Sequence, residues 1–314
     1  MPVSSSTPRL SGWLDSSDAF PTFPPPMYDT LLWLKPWEFS PTLLLAFGVA
    51  IALYVRGLSR VPVRVNALRQ ALFWTGMVLL YLSLHTRLDY YAERMFFIHR
   101  LQHLVLHHLG PILVMAAYPG SVMRAGLPGP LRRWLFLFRQ QPAGRALEWL
   151  LTNPFLVSSA FVLLVLIWLL PMVQFYSMLD WRLYRLMNWS VVISGLLYWN
   201  LILDRRPSPP AVLTPGWRVL SPVVTMTPQM VAGAILTFSE RDFYPLYDVC
   251  GRALDMTARF DQNLGGLIMW IPAGMVEFVG GILALQTLIR LSSKGRMPER
   301  PRRQYGRQRV APRP

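Results

Sequence analysis

Cysteine is nearly missing from this 314-residue chain: Cys250 stands alone, which excludes a disulfide framework and any zinc cluster built on paired thiols. Charge is scarce as well, at 15% of residues against about a quarter in soluble domains. There is no glycine-rich phosphate loop, no nucleophile set beside a base and no repeat of fixed period, so neither nucleotide chemistry nor hydrolysis is expected and the chain does not read as an enzyme. The first residues carry no basic region followed by an apolar run, so no cleavable signal peptide is expected. What the chain does have is 53% hydrophobic residues, 12 Trp and a formal charge of +15. An isoelectric point near 10.7 invites a nucleic-acid reading, but such binders do not carry long apolar runs, and nucleic acid is excluded as a partner.

A hydrocarbon core about 30 Å thick needs about 20 apolar residues in a helix. Seven runs approach that length: Phe39–Val55, Ala71–Leu88, Phe96–Tyr118, Pro154–Tyr176, Leu183–Leu203, Val219–Phe238 and Leu264–Leu291. The expected fold is therefore an all-α integral membrane bundle of seven transmembrane helices over 39–291, with membrane lipid as its surroundings. A Ser/Pro-rich tail precedes it over 1–38, and a basic tail follows over 292–314. Leu131–Phe138, aromatic and flanked by Arg132, Arg133 and Arg139, suits a segment lying in the membrane interface.

Lys and Arg resist translocation, so their placement sets orientation. Arg56, Arg60, Arg64 and Arg69 follow the first run, and Arg124, Arg132, Arg133, Arg139 and Arg145 follow the third. Arg205, Arg206 and Arg218 follow the fifth, and the tail from Arg290 to Arg313 is basic throughout. The acids in these segments are only Glu148, Asp204 and Glu299. The pattern predicts an N-terminus outside the membrane and a cytoplasmic C-terminus, so the outer face is the periplasm or its equivalent.

All five histidines fall between positions 85 and 108. His85 closes the second run; His99, His103, His107 and His108 lie in the third. On a helix His99, His103 and His107 rise along one face about 6 Å apart, so adjacent members can share a metal ion and the outer two cannot. Met95 extends the row, and His85 is placed to approach from the neighbouring helix. Imidazole with thioether suits copper; hydrogen bonding between helices is the alternative. Asp261 and Met269, at the start of the seventh run, are placed to complete a site with His99 and His103. Pro272 predicts a kink in that run, and Glu277 sits deep enough to be protonated, paired or part of a proton path.

Two stretches carry a family resemblance. His99-Arg100-Leu101-Gln102-His103-Leu104 with Pro111, and Asp261-Gln262-Asn263-Leu264-Gly265-Gly266-Leu267-Ile268-Met269-Trp270-Ile271-Pro272, resemble the signature motifs of the multi-span CtaG family of cytochrome c oxidase assembly factors. The resemblance includes Asn153-Pro154, Tyr198-Trp199 and the loop from Phe238 to Pro245. It implies an inner-membrane protein that matures a haem-copper oxidase, handles copper for it, and meets an oxidase subunit during assembly. His99 and His103 match the family's histidine pair, and Asp261 and Met269 its seventh-span positions. The chain departs from the family where an HxxEH motif is common in the fifth span, having Tyr184-Arg185-Leu186-Met187-Asn188 there. It also has Gln229 and Leu169 near positions that often hold histidine, and carries His107 and His108 in exchange.

Three functions follow from these residues and from the family they resemble. The first is an assembly factor that holds copper at His99 and His103 near the periplasmic face. The second is a b-type cytochrome with His85 and a third-run histidine as haem ligands. The third is a transporter of copper or another solute, although no inverted repeat is visible.

Overall fold

The computed structural model describes residues 39–295, so the expected tail 1–38 and all but the first residues of the tail 292–314 lie outside the described residues. Every regular element in the described part is helical. Helix α1 (Pro41–Leu58) opens with Pro at its first position, where a missing N–H costs nothing. It packs on α2 (Ala67–His85) through Tyr54 and Phe73, whose rings stack at 3.6 Å. Asn66 caps α2 by accepting the amide of Leu68, and Thr86 caps the short α3 (Arg87–Ala92) in the same way.

The third apolar run is helical but not uniform. It consists of α4 (Phe96–His103), a π-helical segment (Leu104–Leu109) and α5 (Gly110–Ala116). The short α6 (Gly120–Gly126) leads to an amphipathic pair, α7 (Gly129–Gln140) and α8 (Pro142–Thr152). Helix α7 has no buried residue and exposes Trp134, Phe136 and Leu137, in keeping with an interfacial position for Leu131–Phe138. The fourth run breaks before Pro171 into α9 (Pro154–Leu169) and α10 (Pro171–Leu179), because proline excludes the residue before it from the helical region. Helices α11 (Trp181–Ile202) and α12 (Pro215–Phe238) cover the fifth and sixth runs. After α13 (Leu246–Val249), the long α14 (Ala258–Ser293) continues through Pro272 without interruption.

Helices α1, α2, α12 and α14 are each long and apolar enough to cross a membrane; α8 with α9, bent by 60°, makes a fifth candidate. The third run is divided by its π segment into pieces too short to qualify singly. Helices α12 and α14 touch backbone to backbone: a Cβ at Gly266 would lie 2.6 Å from the amide nitrogen of Thr237, so no larger residue fits.

The basic loops gather at one end. Arg69 donates to the carbonyls of Ala117 (2.8 Å) and Tyr118 (3.0 Å), Arg205 lies over the Tyr118 ring at 4.0 Å, and Arg290 donates to the carbonyl of Arg205. The start of α2 and the ends of α5, α11 and α14 therefore meet there.

Candidate metal centre

At the other end of the bundle, α4 begins after Met95 and exposes the first amides of a helix, which need acceptors. Asp261, near the start of α14, supplies them. Its Oδ2 accepts the amide of Phe96 at 3.0 Å and its Oδ1 that of Phe97 at 2.8 Å. Arg252 donates to the same carboxylate. Both oxygens expected to turn toward the histidines are thus engaged in capping α4, where the positive end of the helix dipole also favours an anion.

One turn further, His99 and His103 face each other with ring centroids 4.4 Å apart. Both are buried, and Nδ1 and Nε2 of each ring lack a hydrogen-bond partner. Four unpaired ring nitrogens inside a bundle are costly unless something binds them, which is the chemistry of a ligand site. The row does not continue in the same contact. Within the π segment His107 stacks on Phe161 at 4.0 Å, and its Nδ1 lies 3.2 Å from Nε2 of His108. Gly195 of α11 receives the carbonyl of His107, an approach that any side chain would block.

The remaining expected residues are placed as follows. Met95 is fully buried among Tyr91, Ala92 and Ile98. His85 accepts or donates at Nδ1 with the Tyr81 hydroxyl (2.7 Å), while its Nε2 is unpaired. Met269 packs with Phe96, Leu236 and Tyr244. It also borders a cavity of about 20 Å³ shared with His103, His107, His108 and Gln229, room for one water molecule or ion. Among the described residues no three His, Cys, Asp or Glu side chains form a group able to hold a metal ion; the structure brings His99 against His103, sets His107 and Met269 at the small cavity that His103 also borders, and leaves Met95, His85 and Asp261 at other contacts.

Two features were not anticipated, the surroundings of Arg100 and of Tyr184, while Glu277 is paired, one of the states expected for it. Arg100, within the histidine motif, is buried, donates to Gln174 Oε1 at 3.2 Å and lies 5.0 Å from the Phe96 ring centroid. A charged residue in mid-span was the available signal. Glu277 accepts from Thr225 Oγ1 at 2.9 Å and from Gln229, and stands 3.7 Å from His108 Nδ1. The second unanticipated feature is Tyr184, whose hydroxyl donates to Asp89 at 2.6 Å, with Gln102 donating to the same oxygen.

The family model for the cytochrome c oxidase caa3 assembly factor matches residues 52–291. The chain belongs to that family. The match runs from within α1 nearly to the end of α14, and so contains His99, His103, Asp261, Met269 and Glu277. No curated protein and no solved structure matches the chain. As a member of the caa3 assembly factor family, it is a protein of cytochrome c oxidase assembly, and its apolar helices fit a multi-pass membrane protein.

Proposed function

We propose that this assembly factor binds copper transiently at His99 and His103 and passes it to a haem-copper oxidase subunit, acting as a metal chaperone without catalytic turnover. The observation that carries the reading is the facing pair of buried imidazoles with all four ring nitrogens unpaired. Two imidazoles form a low-coordinate site suited to cuprous ion, and few ligands favour release. Arg100 beside the pair adds a fixed positive charge, which disfavours a divalent ion more than a monovalent one.

The same proposal places seven spans in a bacterial inner membrane, with α4, the π segment and α5 together as the third span and α11 as the fifth. Gathering of Arg69, Arg205 and Arg290 at one end supports the positive-inside orientation, with the N-terminus and the histidine pair toward the periplasm.

Complementation tests the role. In a deletion strain, the wild-type gene restores the oxidase's absorption and its copper content, whereas His99→Ala/His103→Ala produced at equal level in the membrane does not. Full restoration by the double variant would remove the histidines from the function.

A further inference from the structure

Where the basic loops gather, a cavity of about 500 Å³ opens between helix ends, walled by Arg69, Tyr118, Arg124, Asn200, Leu203 and Arg205. Tyr118 is held at φ 52°, a backbone region that bulky residues seldom take, and Arg69 of α2 donates to its carbonyl at 3.0 Å and to that of Ala117 at 2.8 Å. The guanidinium carbons of Arg69 and Arg205 lie 5.5 Å and 4.0 Å from the centre of the Tyr118 ring, so two like charges share one aromatic group. Arg124 of α6 reaches the same cavity and donates through Nε to the carbonyl of Gly120 at 3.0 Å, an arrangement that leaves its terminal nitrogens for a ligand. The acid on the wall, Asp204, is taken by Arg206 at 2.7 Å. Among the described residues, Arg69, Arg124 and Arg205 form no ion pair. Three cations around one cavity repel one another, and an anion between them relieves that repulsion.

We propose that this cavity holds the phosphate group of an anionic phospholipid, with Arg69, Arg124 and Arg205 as its charge partners. The proposal rests on the reading that this end of the bundle lies at the cytoplasmic face, where anionic lipid and basic residues attract one another. The wall favours a lipid over a soluble anion because it is not basic throughout. Met115, in the last turn of α5, and Leu203, at the end of α11, give it an apolar side for the glycerol and the first acyl carbons. Asn200 supplies an amide to the headgroup. A phosphate between the three arginines joins α2, α6 and the end of α11 through one charge.

The test uses the purified full-length chain in neutral detergent, with phosphatidylglycerol or phosphatidylcholine of matched acyl chains added and bound lipid counted by native mass spectrometry. Phosphatidylglycerol should bind about tenfold more tightly than phosphatidylcholine. Arg124→Gln and Arg205→Gln, both at exposed positions, should each weaken it by about fivefold, and Arg124→Lys should keep most of the binding. Arg132→Gln/Arg133→Gln on α7 should leave it unchanged. Equal affinity for the two lipids, or an equal loss from the α7 pair and the cavity variants, would overturn the site in favour of diffuse attraction. Inorganic phosphate at about 1 mM, too dilute to screen these charges, should leave the lipid bound. Displacement of the lipid by that phosphate would make the cavity a site for a soluble anion and overturn the lipid. The exposed Cys250, at the opposite end of the bundle, checks the placement separately: a membrane-impermeant maleimide should label it in intact spheroplasts. Labelling only after lysis would overturn the orientation on which the proposal rests. Labelling as expected, without arginine-dependent binding of phosphatidylglycerol, would overturn the lipid site alone.

Discussion

The carboxylate of Asp261 accepts the backbone amide of Phe97 at 2.8 Å, tying the start of α14 to the start of the helix that carries both histidines. With the second bond to Phe96, this makes Asp261 a helix cap supplied from another part of the chain. Asp261→Ala should therefore lower stability by about 1–3 kcal/mol, read as a fall in the thermal unfolding midpoint in detergent. Metal bound per folded molecule should stay at the wild-type level. Loss of metal with an unchanged midpoint would make Asp261 a ligand instead.

Arg100 sets a second expectation. Its guanidinium is buried and has no ion-pair partner among the described residues, so its charge is felt at the neighbouring cavity. Arg100→Gln should raise the affinity for cuprous ion by about tenfold, and for a divalent ion by more. Competition against a chelator of known affinity measures both. An affinity that falls or does not change contradicts the electrostatic role.

Glu277 tests the polar network behind the histidines. Glu277→Gln retains an acceptor for Thr225 and should be tolerated, whereas Glu277→Leu leaves Thr225, Gln229 and His108 facing an apolar side chain. The leucine variant should lose about 1–3 kcal/mol more than the glutamine variant in unfolding experiments. Equal midpoints for the two would show that these contacts carry no stability.

Gly195 offers a packing test remote from any ligand. A Cβ there meets the carbonyl of His107, so Gly195→Val should separate α11 from the π segment and cost about 1–3 kcal/mol through overpacking. A variant with the wild-type midpoint would mean that this contact is not rigid.

Part of the architecture was legible because apolar length has a direct physical cause: the seven expected runs are mostly helical, and four or five of the resulting helices or bent pairs are long and apolar enough to cross a membrane. The pairing of His99 with His103 was equally legible, since residues four apart on a helix are neighbours. The π segment was not. It lets two consecutive residues, His107 and His108, both lie inside, one against Phe161 and the other toward Glu277, and those partners come from α9 and α14. The capping role of Asp261 was hidden for the same reason, because its acceptors and donors lie 164 and 165 positions apart in sequence. Spacing within one helix can be read from a sequence; a contact between distant helices needs the fold.

The central claim is that His99 and His103 hold copper. The most direct measurement is the copper-to-protein ratio of the full-length chain after loading under reducing conditions and removal of excess metal, for wild type and His99→Ala/His103→Ala side by side. About one copper per wild-type chain, lost in the folded double variant, is the predicted result. The same copper content in both proteins would contradict it.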